Sequence, residues 1–293
     1  MMQESILSGS VTALMEKAST VLPGDVRDAL SCAHSREPEG SIARETLGLI
    51  LQSAELSRES GLPICQDTGV PLVMVRAVPE GSMSVVEAAV RAALRSLTER
   101  GILRQNCVDP VTGRDTSDNT GDHVPQIHFL PSRGPTLIQV MFKGGGSENV
   151  SAQYSLPDPG LDAGRDLEGV RKCVLDAVFR AQGKGCSPGI LGICIGGDRA
   201  SGYLLAKEAL FRRLDLRNES PDLDRLEKTI VEQANELGIG PMGLGGATTL
   251  LGARIVSAGR HPACYFVTVS YSCWVTRRAS AELDREGRIV RWL

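Results

Sequence analysis

Gly183-Lys184-Gly185-Cys186-Ser187-Pro188-Gly189-Ile190-Leu191-Gly192-Ile193-Cys194-Ile195-Gly196-Gly197-Asp198 is the stretch on which the fold class turns. Residues 190–195 form a short apolar run bounded by glycines, which reads as a buried strand. Upstream, Val170, Val174 and Val178 recur at helical spacing and predict a helix over 167–181. Downstream, residues 199–212 read as a helix, and a second follows over 222–237. Asp222 is its expected N-cap, Leu223, Leu226, Ile230, Ala234 and Leu237 mark its apolar face, and Gly238 stops it. A helix, a strand and further helices in succession predict an α/β protein with mixed sheets and packed helices.

Toward the N-terminus, Leu47, Ile50, Leu51 and Ala54 predict a helix over 42–56, stopped by Gly61-Leu62-Pro63. A loop holding Cys65-Gln66-Asp67-Thr68-Gly69 follows, then a strand over 72–78. Ser84 and Glu87 have the spacing of a capping box, and Val86, Ala89, Val90, Ala93, Leu94 and Leu97 carry the helix to Gly101. Residues 104–125 are rich in Asn, Asp, Thr, Gly and Pro without apolar period, which predicts a long ordered loop of the kind that carries function. Residues 127–130 and 137–142 read as a strand pair, the second running into Lys143-Gly144-Gly145-Gly146-Ser147-Glu148-Asn149. Strands over 253–258 and 265–270 complete the pattern. With no repeat, low-complexity segment or linker, residues 1–293 are expected to form a single domain.

The 293 residues carry 32 Lys+Arg against 35 Asp+Glu, a net charge of −3, with 42% hydrophobic and 4% aromatic residues. That balance supplies a core and gives neither the basic field nor the stacking surface that nucleic acid requires, so no nucleic-acid partner is expected. The longest uncharged runs fall short of a membrane span of about 20 residues, so no membrane contact is expected. The opening MMQESILSGS lacks a basic segment ahead of an apolar one, so the chain is expected in the cytoplasm. Its eight cysteines are then expected to be reduced.

Those cysteines differ in setting. Cys65, Cys186 and Cys273 sit in turn-like contexts, where free backbone N–H groups can hold a thiolate for a soft metal; Cys32, Cys173 and Cys264 lie in apolar, periodic segments. No Cys-x-x-Cys pair marks a metal site, and spacing alone leaves buried or incidental thiols open. The glycines Gly144 to Gly146 could form an anion-binding nest or a strand-ending turn. The run from Gly192 to Asp198 lacks the order of a dinucleotide fingerprint and is assigned to close strand–helix packing, and Gly183-Lys184-Gly185 fails the phosphate-loop pattern. His261 could exchange a proton with a ligand near neutral pH or serve the core. Asp67, Arg104 and Arg277-Arg278 could together select a small dicarboxylate, or each be a surface charge.

Read together, Pro63-Ile64-Cys65-Gln66-Asp67-Thr68-Gly69, Lys143 to Asn149, Gly183-Lys184-Gly185-Cys186-Ser187-Pro188, Leu237-Gly238-Ile239-Gly240-Pro241-Met242-Gly243-Leu244-Gly245-Gly246 and Ser272-Cys273-Trp274 resemble the class I fumarate hydratase family, in particular the alpha subunit of its two-subunit form. The resemblance covers the chain from about residue 10 to about residue 280. It implies a 4Fe-4S cluster held by Cys65, Cys186 and Cys273, with one iron left open to substrate as a Lewis acid. It further implies substrate contacts from Gln66, Arg104 and the Gly145 and Gly146 backbone, and catalytic roles for Asp67 and His261 at the leaving hydroxyl. The base that removes the C3 proton is expected from a separate beta subunit, in a heterodimer or heterotetramer. Ser187 stands where the family more often has a second proline.

The implied reaction is the reversible hydration of fumarate to (S)-malate. The tartrate dehydratase alpha subunit is related, and mesaconate differs from fumarate by one methyl, worth only about 1–3 kcal/mol of discrimination. A non-catalytic zinc module using the three cysteines and His261 is the reading from another class. A nicotinamide-binding protein, resting only on the Gly192–Gly197 turn, is a weaker one.

Overall fold

The structure, a computed structural model, describes residues 2–293. In chain order the elements are α1 (Glu4–Thr20), α2 (Gly24–Arg36), α3 (Ile42–Ser60), β1 (Val70–Arg76), α4 (Met83–Glu99), β2 (Gln126–Leu130), β3 (Thr136–Lys143), α5 (Gly145–Asn149), β4 (Ala152–Ser155), α6 (Leu167–Ala181), β5 (Gly189–Gly196), α7 (Arg199–Ala209), α8 (Pro221–Glu236), β6 (Leu250–Ala258), β7 (Phe266–Ser272), β8 (Arg277–Leu283) and β9 (Ile289–Trp292). The architecture is mixed α/β with two mixed sheets and packed helices, as the alternation of periods implied. No helix among the described residues is long and apolar enough to cross a membrane. The chain divides into two compact units.

The first unit comprises residues 2–23, 53–145 and 275–293. Its five-stranded sheet runs β2-β1-β3-β8-β9. β1 and β2 are parallel, so α4 serves as the crossover that such a pair requires. β1 also lies antiparallel to β3, so the two segments read as a strand pair flank β1 and do not pair with each other. Leu7, Val11 and Leu14 of α1 and Val86, Val90 and Leu94 of α4 cover Val73, Val75, Ile138 and Val140 of the sheet, all fully buried. α4 begins at Met83 with Ser82 at its N-cap, and Ser84 is already the second residue of the helix, so the expected capping box does not form. α1, α2, β4, β8 and β9 are additional to the elements that the sequence pattern predicts.

The second unit comprises residues 24–52 and 146–274. Its four-stranded sheet runs β4-β7-β5-β6, with β5 parallel to β6 and antiparallel to β7. α6 and α8 bury Val170, Val174, Val178, Leu226, Ile230 and Ala234 against Leu191, Ile193, Ala253 and Val267. α8 is capped at Ser220 with Pro221 opening the helix, two residues ahead of the expected Asp222. A Cβ on Gly192 would fall 1.9 Å from the Ala206 carbonyl oxygen, so this glycine lets α7 lie directly on β5. That is the strand–helix packing role the sequence assigned to it. A buried ionic group ties α8 to β6. Glu227 accepts from the Ile255 N–H at 2.7 Å, from Asn218 Nδ2 at 2.7 Å and from Arg254 at 3.3 Å, and it also pairs with Arg212.

Candidate functional site

In the first unit, the loop between α3 and β1 presents Cys65, Gln66, Asp67 and Thr68. Cys65 is half-buried, Gln66 is exposed and Thr68 is buried. Asp67 closes this loop on itself and on the end of β3: one carboxylate oxygen accepts from the Gly69 N–H at 3.0 Å and the other from the Gly145 N–H at 2.8 Å. Its carbonyl oxygen accepts from Arg277, which also donates Nε to the Phe142 carbonyl at 3.3 Å. Arg277 is thus a buried brace, 2% exposed, inside β8 and not a surface cation. The triple glycine continues into the short helix α5 and does not end in a turn, and the Gly145 N–H is engaged by Asp67.

Arg104 lies at the start of the loop that follows α4. Its guanidinium is exposed and makes no hydrogen bond or ion pair among the described residues, while its backbone N–H donates to Thr68 Oγ1 at 3.1 Å. The loop itself is a narrow hairpin-like excursion, with Thr116 N–H donating to the Cys107 carbonyl at 2.9 Å and Asp109 N–H to the Arg114 carbonyl at 2.8 Å. An exposed, uncommitted cation on an ordered backbone suits a carboxylate ligand.

In the second unit, Cys186 and Cys273 come from loops that are joined to each other. The Trp274 N–H donates to the Cys186 carbonyl at 3.3 Å. Cys186 has left-handed backbone, φ 53° and ψ 65°, which costs a non-glycine residue on the order of 1–3 kcal/mol and concentrates at functional sites. Ser187 fixes the turn from behind: its hydroxyl donates to the Gly240 carbonyl at 2.6 Å and accepts from the Gly243 N–H at 3.2 Å. A hydroxyl therefore does here what a second proline could not. The Tyr271 ring packs beneath this turn, and a Cβ on Gly185 or Gly189 would lie 2.5 or 2.4 Å from it. Burial, and then the neighbouring Cys273 and Cys186, raise the Tyr271 phenol above its ordinary range, so it stays protonated.

Cys173 and Cys194 are fully buried, and burial pushes their thiols up to about 12 and about 11. They are core thiols. Cys32 is exposed on α2 and Cys264 is half-buried in the loop after β6, so neither is the packed hydrophobe its apolar neighbourhood implied. His261 is exposed in that same loop, where its Nδ1 accepts from the Ala263 N–H at 3.1 Å. With Nδ1 accepting, a ring N–H on this histidine sits at Nε2. Gly146 begins the second unit, where a Cβ would fall 3.2 Å from the Lys184 carbonyl oxygen. Among the described residues, no three His, Cys, Asp or Glu side chains converge as one metal-binding group. Cys186 is half-buried and Cys273 is buried, and their turns are braced against each other; thiolates are the soft donors that an iron–sulfur cluster takes.

Tyr271 and Asn119 carry no signal in the sequence. Gly185 and Gly189 flanking Cys186 were the only available sign that something bulky lay beneath that turn.

The fumarate hydratase (Fumerase) family profile matches residues 8–282. A Geobacillus stearothermophilus protein named for class I fumarate hydratase is 44% identical over 97% of this chain, which spans 56% of that relative's length. A Methanocaldococcus jannaschii protein named for the L(+)-tartrate dehydratase alpha subunit is 34% identical over 97% of this chain and 99% of its own. The Escherichia coli K12 L(+)-tartrate dehydratase alpha subunit is 31% identical over 96% of this chain and 94% of its own. With a match running through both units and every motif described above, the chain belongs to the fumarate hydratase (Fumerase) family.

Proposed function

We propose that this chain is the alpha-type module of an iron–sulfur hydro-lyase that adds water reversibly to fumarate to give (S)-malate. Cys65, Cys186 and Cys273 are the thiolate ligands of a 4Fe-4S cluster in this reading. The observation that carries it is the strained, left-handed Cys186 tied through its carbonyl to the Cys273-Trp274 turn, because such strain persists only where surrounding structure enforces it. When bound, the cluster supplies a Lewis-acidic iron for the substrate hydroxyl and carboxylate.

The protein's own groups then have separable tasks. Arg104 pairs with a substrate carboxylate, and Gln66 and the backbone at Gly145 and Gly146 are taken as further substrate contacts. Asp67 ties the loop before β1 to the start of α5 by accepting from the Gly69 and Gly145 N–H groups, and in this reading that anchoring holds its carboxylate for the leaving hydroxyl. The Nε2–H of His261 hydrogen-bonds to the departing hydroxyl in the dehydration direction and to the incoming water in hydration, orienting each. A separate beta subunit provides the base for the C3 proton, and the assembly resides in the cytoplasm. Fumarate is preferred because the relative named for fumarate hydratase shares 44% identity, against 31–34% for those named for tartrate dehydratase. Tartrate is the second reading, because those tartrate dehydratase alpha subunits match this chain over 94–99% of their own length.

The test is iron and acid-labile sulfide per chain after anaerobic purification, for the wild type and the Cys65→Ser, Cys186→Ser and Cys273→Ser variants. About four of each, lost in all three variants, supports the assignment. Zinc instead, or no metal in anaerobic protein, overturns it. Fumarate and L(+)-tartrate turnover with and without the partner chain then decides the substrate, and full activity from this chain alone overturns the need for a beta subunit.

A further inference from the structure

We infer that Asn119 is a positioning residue for Arg104. The Asn119 amide clasps the peptide on either side of Gln105: its Nδ2 donates to the Arg104 carbonyl at 2.7 Å, and its Oδ1 accepts from the Asn106 N–H at 2.8 Å. The second Nδ2 hydrogen goes to Thr98 Oγ1 on α4 at 2.9 Å, so the clasp is anchored to a helix. Asn119 is 5% exposed and adopts φ 59°, a left-handed conformation in which asparagine is several-fold enriched.

The opposite side of the same segment is held by Thr68, the residue after Asp67. Its hydroxyl accepts the Arg104 N–H at 3.1 Å. In the amide orientation that satisfies its neighbours, the Asn106 side-chain oxygen accepts from Thr68 Oγ1 at 2.8 Å and from the Gly69 N–H at 3.2 Å. The backbone of Arg104 is therefore bonded through both its N–H and its carbonyl, and only the guanidinium is left uncommitted. The long hairpin between Cys107 and Thr116 serves to return Asn119 to the segment it left. Fixing a backbone in advance spares the ordering cost when the side chain meets its ligand.

This inference rests on the reading of Arg104 as the carboxylate contact, and its test separates the two. Asn119→Gly keeps access to positive φ while deleting the amide; Asn119→Asp keeps the acceptor for the Asn106 N–H and deletes the donor to the Arg104 carbonyl. In the chain without cluster, Asn119→Gly is expected to speed hydrogen exchange at the Arg104 and Asn106 amides, and Asn119→Asp at the Arg104 amide with Asn106 changed less. In the cluster-loaded enzyme, the KM for the dicarboxylate is expected to rise roughly ten-fold with kcat changed far less, the scale of one or two lost hydrogen bonds. In an Arg104→Ala background the same substitution should change KM by less than about two-fold, because its route of action is gone. An unchanged KM in the wild-type background, or an equal effect with and without Arg104, overturns the inference alone. A cluster-loaded wild type assembled with its partner chain that turns over neither fumarate nor tartrate overturns the assigned function, and this inference with it.

Discussion

Replacing Gly189 by alanine probes the geometry on which the Cys186 turn depends. The added Cβ would lie 2.4 Å from both Cζ and the hydroxyl oxygen of Tyr271, where ordinary contact begins at 3.4 Å, an overlap of about 1 Å. Neither partner can retreat easily. Tyr271 is 2% exposed, and its strand is in register with β5 at Leu191 and again at Ile190 opposite Ser272. Overpacking of this kind costs about 1–3 kcal/mol. At about 2–4 °C per kcal/mol for a chain of this size, the melting midpoint should fall by roughly 2–12 °C.

Because Gly189 follows Cys186 by three residues and Tyr271 precedes Cys273 by two, iron content after anaerobic reconstitution should fall with it. A Gly189→Ala, Tyr271→Leu double variant removes the ring that clashes, and should be destabilised less than the sum of the single changes by at least about 0.5 kcal/mol. Gly9→Ala is the control. Gly9 lies within α1 with nothing within 4 Å of its missing Cβ, so alanine there should be neutral or stabilise by up to about 1 kcal/mol. Wild-type melting and iron content in Gly189→Ala would refute the packing argument.

Glu227→Ala should cost about 3–5 kcal/mol in urea unfolding, because Arg254 and Arg212 lose their shared carboxylate in a largely buried setting. Asp224 is held well below the usual carboxylate range by hydrogen bonds from Arg217 and Lys228, so its stabilising effect is present above the ordinary Asp value near pH 4 and is lost as pH falls below it. Asp224→Asn should therefore be less stable than wild type at pH 7, and the gap between their melting curves should close on acidification; a gap independent of pH would refute this. Thiols raised to about 12 and about 11 are ionised at pH 8 only to about one part in ten thousand and one in a thousand, so Cys173 and Cys194 should resist iodoacetamide until the chain unfolds. Exposed Cys32 should label at once, as peptide mass mapping would show.

The sequence by itself determined the elements whose side chains repeat with a period and whose ends carry a stop. The helix Leu167–Ala181 is bounded where the spacing of its valines placed it, and β5 fills the apolar run between its glycines. It also separated Cys65, Cys186 and Cys273 from Cys173 by their turn residues, because local backbone preference is written in neighbouring residues. What only the tertiary structure decided are relations between distant segments. β1 lies between β2 and β3 although the chain visits them in another order. Arg277, read as a charge for a ligand, is instead a buried brace on Asp67, because strand pairing carried it inside. Asn119 reaches Arg104 only because the hairpin between them closes, and Tyr271 underlies Cys186 only because β7 pairs with β5. Such contacts depend on register and burial across tens of residues, which no local pattern encodes.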